Sequence, residues 1–162
     1  MSPTTLDCHA SVFPPPARTT RRGPVPAPAR PAARPGPARA TILLVDDDPA
    51  VRESLRRVLE AQHWQVRTAA TGEAGLEALQ AEEPDLLITD LCLAAVNGWD
   101  LLFHESLQRP HLPIFVITAL PLHEAGGAEK FATNFFVKPL DLEALLAAIR
   151  HQLERPRPAP PA

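Results

Sequence analysis

The sequence predicts an α/β fold in which five βα units build a parallel sheet covered by helices. From Thr41 onward, short apolar runs alternate with segments of helical periodicity, the order typical of such a sheet. Residues 41–154 have the length of one ordinary domain. Four of the five apolar runs end in polar side chains, and ligands of open α/β sheets bind outside the carboxyl ends of the strands.

The first two units begin with clear strand and helix signals. The stretch "TILLVD" (41–46) reads as a buried strand, and Asp48-Pro49 marks the start of a helix with an apolar face. "QVRTA" (65–69) is a short second strand, and Thr71 is a suitable cap for the helix after it.

The third and fourth strands are predicted at "DLLITD" (85–90) and "LPIFVIT" (112–118), the second of which is rich in β-branched residues. A loop follows the third strand as far as Gly98, where a helix begins that continues through Leu107.

The fourth helix is predicted to be short or frayed, because Pro121 and Gly126-Gly127 interrupt the segment that would form it. The fifth strand is "NFFVK" (134–138), and Asp141 begins a strongly amphipathic last helix, the fifth.

Both ends of the chain are predicted to be disordered. Residues 1–40 hold ten of the twenty prolines and few large apolar side chains, and residues 155–162 read "RPRPAPPA". The folded unit is therefore expected at residues 41–154, and no output domain is expected after the last helix.

Charge divides the chain into two parts. Residues 1–40 carry six arginines and one acid, a net +5, whereas residues 41–154 carry eight basic residues and eighteen acids, a net −10. An acidic domain is a poor binder of nucleic acid, so no direct DNA-binding domain is expected. Two cysteines, one in each part, favour a reducing compartment, and no apolar stretch reaches membrane-spanning length. We expect a cytoplasmic protein without membrane association.

The polar strand ends form one predicted site. Asp46 and Asp47 follow the first strand, and Asp90, Thr118 and Lys138 end the third, fourth and fifth. Three carboxylates in one cleft call for a hard cation such as Mg²⁺. A lysine and a hydroxyl opposite them suit the oxygens of a phosphoryl group. Asp90, alone at its strand end, is then the candidate nucleophile.

In four stretches the sequence resembles the receiver domain of two-component response regulators. They are "ILLVDDDPAVRESLRRVLE", "DLLITDLCLAAVNGWDLL", "IFVITA" and "FFVKPLDLEALLAAIRHQL". The resemblance covers about residues 41–153 and implies a flavodoxin-like, doubly wound sheet in the order 2-1-3-4-5. Leu93-Ala94 replaces the Met-Pro that is frequent in the family, and the interval from Thr118 to Lys138 is short.

The resemblance also implies a role for each site residue. A histidine kinase or phosphotransfer protein would phosphorylate Asp90 in an Mg²⁺-dependent step, with Lys138 as the catalytic lysine. Autodephosphorylation would be the only other chemistry, so the protein would not be a turnover enzyme. The metal ligands would be Asp46, Asp47, Asp90 and the backbone carbonyl of Cys92, and the switch residues would be Thr118 and Phe135. The downstream protein target is open, and the family allows a homodimer through the last helix.

Two other interpretations remain open at this stage. Asp46 and Asp48 form an Asp-x-Asp pair, as in haloacid-dehalogenase-type phosphohydrolases, whose nucleophile would then be Asp46. Alternatively, the chain is a receiver-like protein-interaction module that is never phosphorylated. Asp48 is expected to cap the helix that begins at Pro49.

Overall fold

The computed structural model describes residues 39–93, 98–120, 125 and 127–155. Within them, strands and helices alternate along the chain. The elements are β1 Thr41–Val45, α1 Pro49–Glu60, β2 Gln65–Ala69, α2 Gly72–Ala81, β3 Leu86–Thr89, α3 Gly98–Gln108, β4 Ile114–Thr118, β5 Asn134–Val137 and α4 Leu142–Glu154.

All five strands belong to one parallel sheet in the order β2-β1-β3-β4-β5, which confirms the predicted topology. β1 lies in the interior of the sheet, where Val45 pairs with Ala69 of β2 and with Thr89 of β3. β4 joins β3 to the edge strand β5, and Thr118 pairs there with Val137. The carboxyl ends of the strands therefore lie along one edge of the sheet.

Helices cover both faces of the sheet. Alternate residues of each central strand point to opposite sides, so the apolar side chains of one strand pack against helices on both faces. Ile42 and Leu44 of β1 pack with α1 and α4, in a cluster that also holds Phe115. Leu43 and Val45 pack on the other face, with α2 and α3. The interior strands β1, β3 and β4 are buried on both sides, whereas the edge strands β2 and β5 are partly exposed.

Three of the helices begin at side-chain caps. The carboxylate of Asp48 accepts hydrogen bonds from the amides of Ala50 and Val51, with Pro49 at the first helical position, as predicted. The hydroxyl of Thr71 caps α2, again as predicted from the sequence. At the start of α4 the carboxylate of Asp141 accepts from the amide of Ala144 at 3.0 Å.

The prediction of five helices needs one correction. Between β4 and β5 the described residues contain a single turn of 3-10 helix, Ala128–Lys130, in place of a fourth α-helix. It follows Gly127, whose φ of 95° lies in the left-handed region that glycine tolerates best. The sequence predicted a short or frayed helix here, and the helix is reduced to one turn.

Several sequence predictions lie outside the described residues. The predicted disorder of both ends falls mainly on residues 1–38 and 156–162. The predictions for the two loops fall on residues 94–97, 121–124 and 126. None of the described helices is both long and apolar enough to cross a lipid bilayer.

Removing the cap of α4 should destabilise the domain. Asp141→Ala leaves the amide of Ala144 without its acceptor, and the loss of such a cap costs about 1 kcal/mol. Glu143→Ala, in the same exposed first turn, is the matched control and should change the free energy of unfolding by less than about 0.5 kcal/mol. Urea unfolding of both variants measures the difference, and equal losses would rule out the capping role.

Candidate functional site

Three of the predicted site residues meet at the carboxyl ends of β1, β3 and β5. The ammonium nitrogen of Lys138 lies 2.7 Å from Oδ2 of Asp90 and 3.1 Å from Oδ2 of Asp46. Backbone hydrogen bonds hold both aspartates at the edge of the sheet, from the amide of Asp90 to the carbonyl of Val45 and from the amide of Asp46 to that of Ala69. One lysine thus bridges two carboxylates from strands that are far apart in sequence.

Burial makes this cluster electrostatically unbalanced. Asp46 is 2% exposed and Asp90 6%, so two carboxylates share one cation in a partly dehydrated cleft. Burial raises the pKa of Asp46 above its usual value, and the charge and hydrogen bond of Lys138 only partly oppose this. Burial lowers the pKa of Lys138, but its bonds to Asp90 and Asp46 outweigh that effect and raise it overall. The site retains an excess of negative charge, which favours a further cation.

The backbone and the first turn of α1 fix the orientation of Asp46. Its Oδ1 accepts a hydrogen bond from the amide of Asp48 at 2.8 Å, while its Oδ2 faces Lys138. The guanidinium of Arg52 donates to the carbonyl oxygen of Asp46 at 2.6 Å. Both carboxylate oxygens and the carbonyl are therefore held in place.

Asp47 and Cys92 occupy the loops beside this cluster. Asp47 is exposed, and no hydrogen bond joins its side chain to Asp46, Asp90 or Lys138 in the described structure. The half-buried Cys92 follows Asp90, and its amide donates to Oδ1 of Asp90 at 2.9 Å. That bond places the Cys92 backbone directly against the Asp90 carboxylate.

The two predicted switch residues lie on the neighbouring strands. Thr118 is fully buried at the end of β4, and its hydroxyl oxygen accepts from the amide of Leu120 at 3.1 Å. Its carbonyl accepts from the amide of Lys138 at 2.8 Å, which links the ends of β4 and β5. Phe135 of β5 pairs with Val116 of β4 and packs, half-buried, on the α2 and α3 side of the sheet.

Gly98 determines how closely α3 approaches the Asp90 loop. A Cβ atom at position 98 would lie 1.9 Å from the carbonyl oxygen of Asp90 and 2.7 Å from Cα of Leu91, both backbone atoms. The amide of Gly98 donates to the carbonyl of Leu91 at 3.1 Å. Only glycine fits this contact without moving the backbone that carries Asp90.

The donor atoms of the site fit a hard divalent cation. Asp46 and Asp90 each place a carboxylate oxygen against the ammonium of Lys138, and the backbone of Cys92 lies beside Asp90. In the described part of the chain, no three His, Cys, Asp or Glu side chains are grouped as a metal site. Mg²⁺ does not need all of its ligands from such a group, because it usually keeps several waters in its coordination shell. An oxygen-only donor set of this size suits Mg²⁺ better than zinc or copper.

Sequence reasoning did not identify Arg52 as part of the site. Helix dipoles favour acids at the N-terminal turn, yet the first turn of α1 contains no acid and Arg52 follows it directly. A cation so close to a helix start is unfavourable unless it has a local acceptor. That conflict with the dipole is the signal that could have indicated its bond to Asp46.

The sequence is similar to one described protein family over most of its length. The family described as "Response regulator receiver domain" matches residues 42–150. Response regulator MprA of Mycobacterium leprae (strain TN) is 38% identical over 119 residues, which are 72% of this chain and 52% of that protein. The chain thus spans about half the length of the curated relatives it matches.

Solved structures show the same fold. A putative response regulator from Chloroflexus aurantiacus J-10-fl superposes with a TM-score of 0.68 at 30% identity, over 73% of this chain and all of that one. The BeF3-activated receiver domain of DrrB gives a TM-score of 0.66 at 28% identity, with the same coverage. These similarities agree with the five-stranded order that the sheet shows.

Proposed function

Because the chain belongs to the response regulator receiver domain family, we propose that it is a phosphorylation-dependent switch of a two-component system with Asp90 as phosphoacceptor. The observation that carries this proposal is the contact of Lys138 with Asp90 at 2.7 Å, in a cleft that also contains Asp46. A carboxylate beside a fixed ammonium can attack phosphorus while the cation stabilises the charge that develops.

The proposed phosphoryl transfer would use these positions as follows. An Asp90 carboxylate oxygen forms the new bond to phosphorus, and the bond from phosphorus to the donor breaks, its electron pair leaving with the donor. Lys138 is close enough to stabilise the phosphoryl oxygens as they approach Asp90. Thr118 would supply a hydroxyl to the product, which links the phosphorylated state to the β4 and β5 surface around Phe135.

Mg²⁺ is the proposed cofactor. Asp46, Asp47, Asp90 and the Cys92 carbonyl would hold it, and the bound ion supplies positive charge against the transferring phosphoryl group. Asp46 and Asp90 need little rearrangement for this role, because they already share the cleft. Asp47 is exposed in the loop after β1 and would turn toward the metal.

The proposed partners are a histidine kinase or phosphotransfer protein as phosphoryl donor, and a downstream protein that recognises the phosphorylated surface. Both would meet the chain in the cytoplasm. The chain itself would catalyse only its self-phosphorylation and autodephosphorylation. Since a switch need only shift an existing equilibrium by a few kcal/mol, one phosphoryl group is sufficient.

The structure gives little support to a phosphohydrolase of the haloacid-dehalogenase type. That reading requires the second carboxylate of the Asp-x-Asp pair to serve the active site. The Asp48 carboxylate instead accepts hydrogen bonds from the amides of Ala50 and Val51 and so caps α1. Asp48 is thus committed to the helix, and the family match favours the receiver function.

Intact-mass measurement tests the proposal. Incubation with acetyl phosphate and Mg²⁺ should add one phosphoryl group to the wild type and none to Asp90→Asn. Asp48→Asn, which changes a neighbouring acid at the helix cap, is the matched control and should still be modified. A wild type that gains no phosphoryl group, or an Asp90→Asn variant that does, would contradict the proposal.

On acidification, the Mg²⁺ affinity should begin to fall at a higher pH than it would at a site made of exposed aspartates. Metal binding requires ionised carboxylates, and burial raises the pKa of Asp46. As the pH decreases through that raised pKa, Asp46 gains a proton and ceases to be a good ligand. Mg²⁺ titrations over a pH series measure the effect, which Asp46→Asn should remove while weakening binding at neutral pH. An unchanged pH profile in the variant would refute the assignment.

A further inference from the structure

We propose that the groove between α3 and the 3-10 helix Ala128–Lys130 binds an acidic amphipathic helix of a partner protein. The groove lies at the amino-terminal ends of β4 and β5, the opposite edge of the sheet from Asp90. Its lining includes the large apolar residues Leu107, Leu112, Ile114 and Phe131 and the basic residues Arg109 and Lys130. Its volume is about 270 Å³.

Large apolar side chains are exposed in this groove and directly beside it. Phe103 is 50% exposed, Leu107 62% and Phe131 37%, and the rings of Phe103 and Phe131 meet edge to face at 5.4 Å. Phe103 and Leu107 are four residues apart and share one face of α3. Together with Phe131 they form one apolar patch beside the 3-10 helix Ala128–Lys130.

The charges at the groove favour an acidic occupant. Arg109 is already bound to Glu105 and lies 3.6 Å from Glu83, but Lys130 forms no ion pair within the described part of the chain. Among the described lining residues none carries a carboxylate. Glu129 is not among the lining residues, and in a 3-10 helix consecutive side chains point about 120° apart.

The net negative charge of the domain does not cancel this preference. At physiological ionic strength, exposed charges are screened beyond about 8 Å. The Asp46 and Asp90 carboxylates are separated from the groove by the length of β4, about 15 Å for five residues. The nearer acids, Glu105 and Glu83, contact Arg109 and His111, so a partner carboxylate placed near Lys130 is attracted.

The size of the patch favours a single helix over a second copy of this chain. The three exposed side chains present roughly 300 Å² of apolar surface, given that an aromatic side chain can bury about 150–250 Å². A stable dimer usually needs about 800 Å² from each partner. A helix with apolar residues at i, i+4 and i+7 fits a groove of this kind with a smaller contact.

Defined peptides test the proposal by fluorescence anisotropy. The probe is a labelled helical peptide with Leu and Phe at i, i+4 and i+7 and Glu elsewhere, compared with its Lys counterpart and with a scrambled Glu peptide. We expect saturable binding of the first alone, weakened at least about fivefold by Lys130→Glu and abolished by Leu107→Glu. Arg57→Glu, on the opposite face in α1, is the charge-matched control and should leave binding unchanged.

Two further measurements locate the peptide on the domain and distinguish the proposed groove from a dimer interface. Amide shifts on binding should concentrate at residues 103–109 and 128–133, and Asp90→Asn should bind equally well, so failure of phosphorylation would not affect this result. No saturable binding, or equal binding of the Lys peptide, would overturn the proposal. So would a dimer in sedimentation that Leu107→Glu dissociates, because the groove would then be an interface between copies.

Discussion

Replacing Lys138 with methionine should lower the rate of phosphorylation about 100-fold or more. The ammonium is the only cation within hydrogen-bond distance of the Asp90 carboxylate among the described residues, at 2.7 Å. Loss of one fixed group that stabilises transition-state charge typically costs 10²- to 10³-fold, about 2.7–4 kcal/mol. Methionine preserves the length and apolar stem of lysine, so the variant removes mainly the charge. Rates of acetyl phosphate-dependent modification, measured by intact mass, give the comparison.

The same substitution should change how stability depends on pH. Without Lys138, the buried Asp46 and Asp90 carboxylates repel each other with no counterion, and the pKa of Asp46 rises further. A carboxyl whose pKa is raised on folding costs stability as the pH rises through that pKa, so the loss should be greatest near neutrality and shrink in acid. Lys138→Met combined with Asp90→Asn should recover part of the loss. A wild-type rate in Lys138→Met, or a pH-independent loss of stability, would contradict this account.

Gly98→Ala should destabilise the domain by about 3 kcal/mol and disturb Asp90 directly. The added methyl group would sit 1.9 Å from the Asp90 carbonyl oxygen, and a backbone atom cannot rotate away as the end of a side chain can. Either α3 moves outward or the loop carrying Asp90 shifts. A displacement of 1 Å at a reacting group can cost about 100-fold in rate. Urea unfolding and phosphorylation rates should therefore both fall.

Gly75→Ala is the matched control for this prediction. Its added Cβ would meet Cγ2 of Val45 at 3.1 Å, a tight contact with a side chain that can adjust. Alanine is also favoured over glycine within a helix by about 1 kcal/mol, which offsets part of that cost. We expect a change below about 1.5 kcal/mol and normal phosphorylation. If Gly98→Ala behaved like Gly75→Ala, the close approach at Asp90 would not be limiting.

The sequence was informative where local chemistry decides structure. Asp48 and Thr71 cap helices as predicted, and Asp141, predicted as the start of the last helix, is its cap residue. Apolar strands that lack alternation predict burial on both faces, and β1, β3 and β4 are buried on both faces. The polar strand ends predicted that Asp46, Asp90 and Lys138 would meet, because parallel strands place their carboxyl ends at one edge.

Features that depend on distant contacts could not be read in the same way. Whether Asp47 faces the cleft or solvent depends on the loop between β1 and α1, whose shape is set by bonds from Asp48 and Arg52 to Asp46. The buried Glu105 on α3 is paired with Arg109, which also reaches the Leu79 carbonyl of α2. Glu105 shares the buried face of α3 with Leu101 and Leu102, and Arg109 is its partner four residues on. The bond from Arg109 to Leu79 joins α3 to α2, and it appears only once the two helices are packed together.

Chemical localisation of the phosphoryl group is the most direct test of the central claim. Borohydride reduces an aspartyl phosphate to homoserine, which peptide mass spectrometry can assign to one residue. After reaction with acetyl phosphate and Mg²⁺, the account predicts homoserine at position 90 and unmodified aspartate at positions 46, 47 and 48. Homoserine at position 46 would favour the phosphohydrolase interpretation, and its absence at every aspartate would indicate a module that is never phosphorylated. Either result would contradict the assignment of Asp90 as the phosphoacceptor.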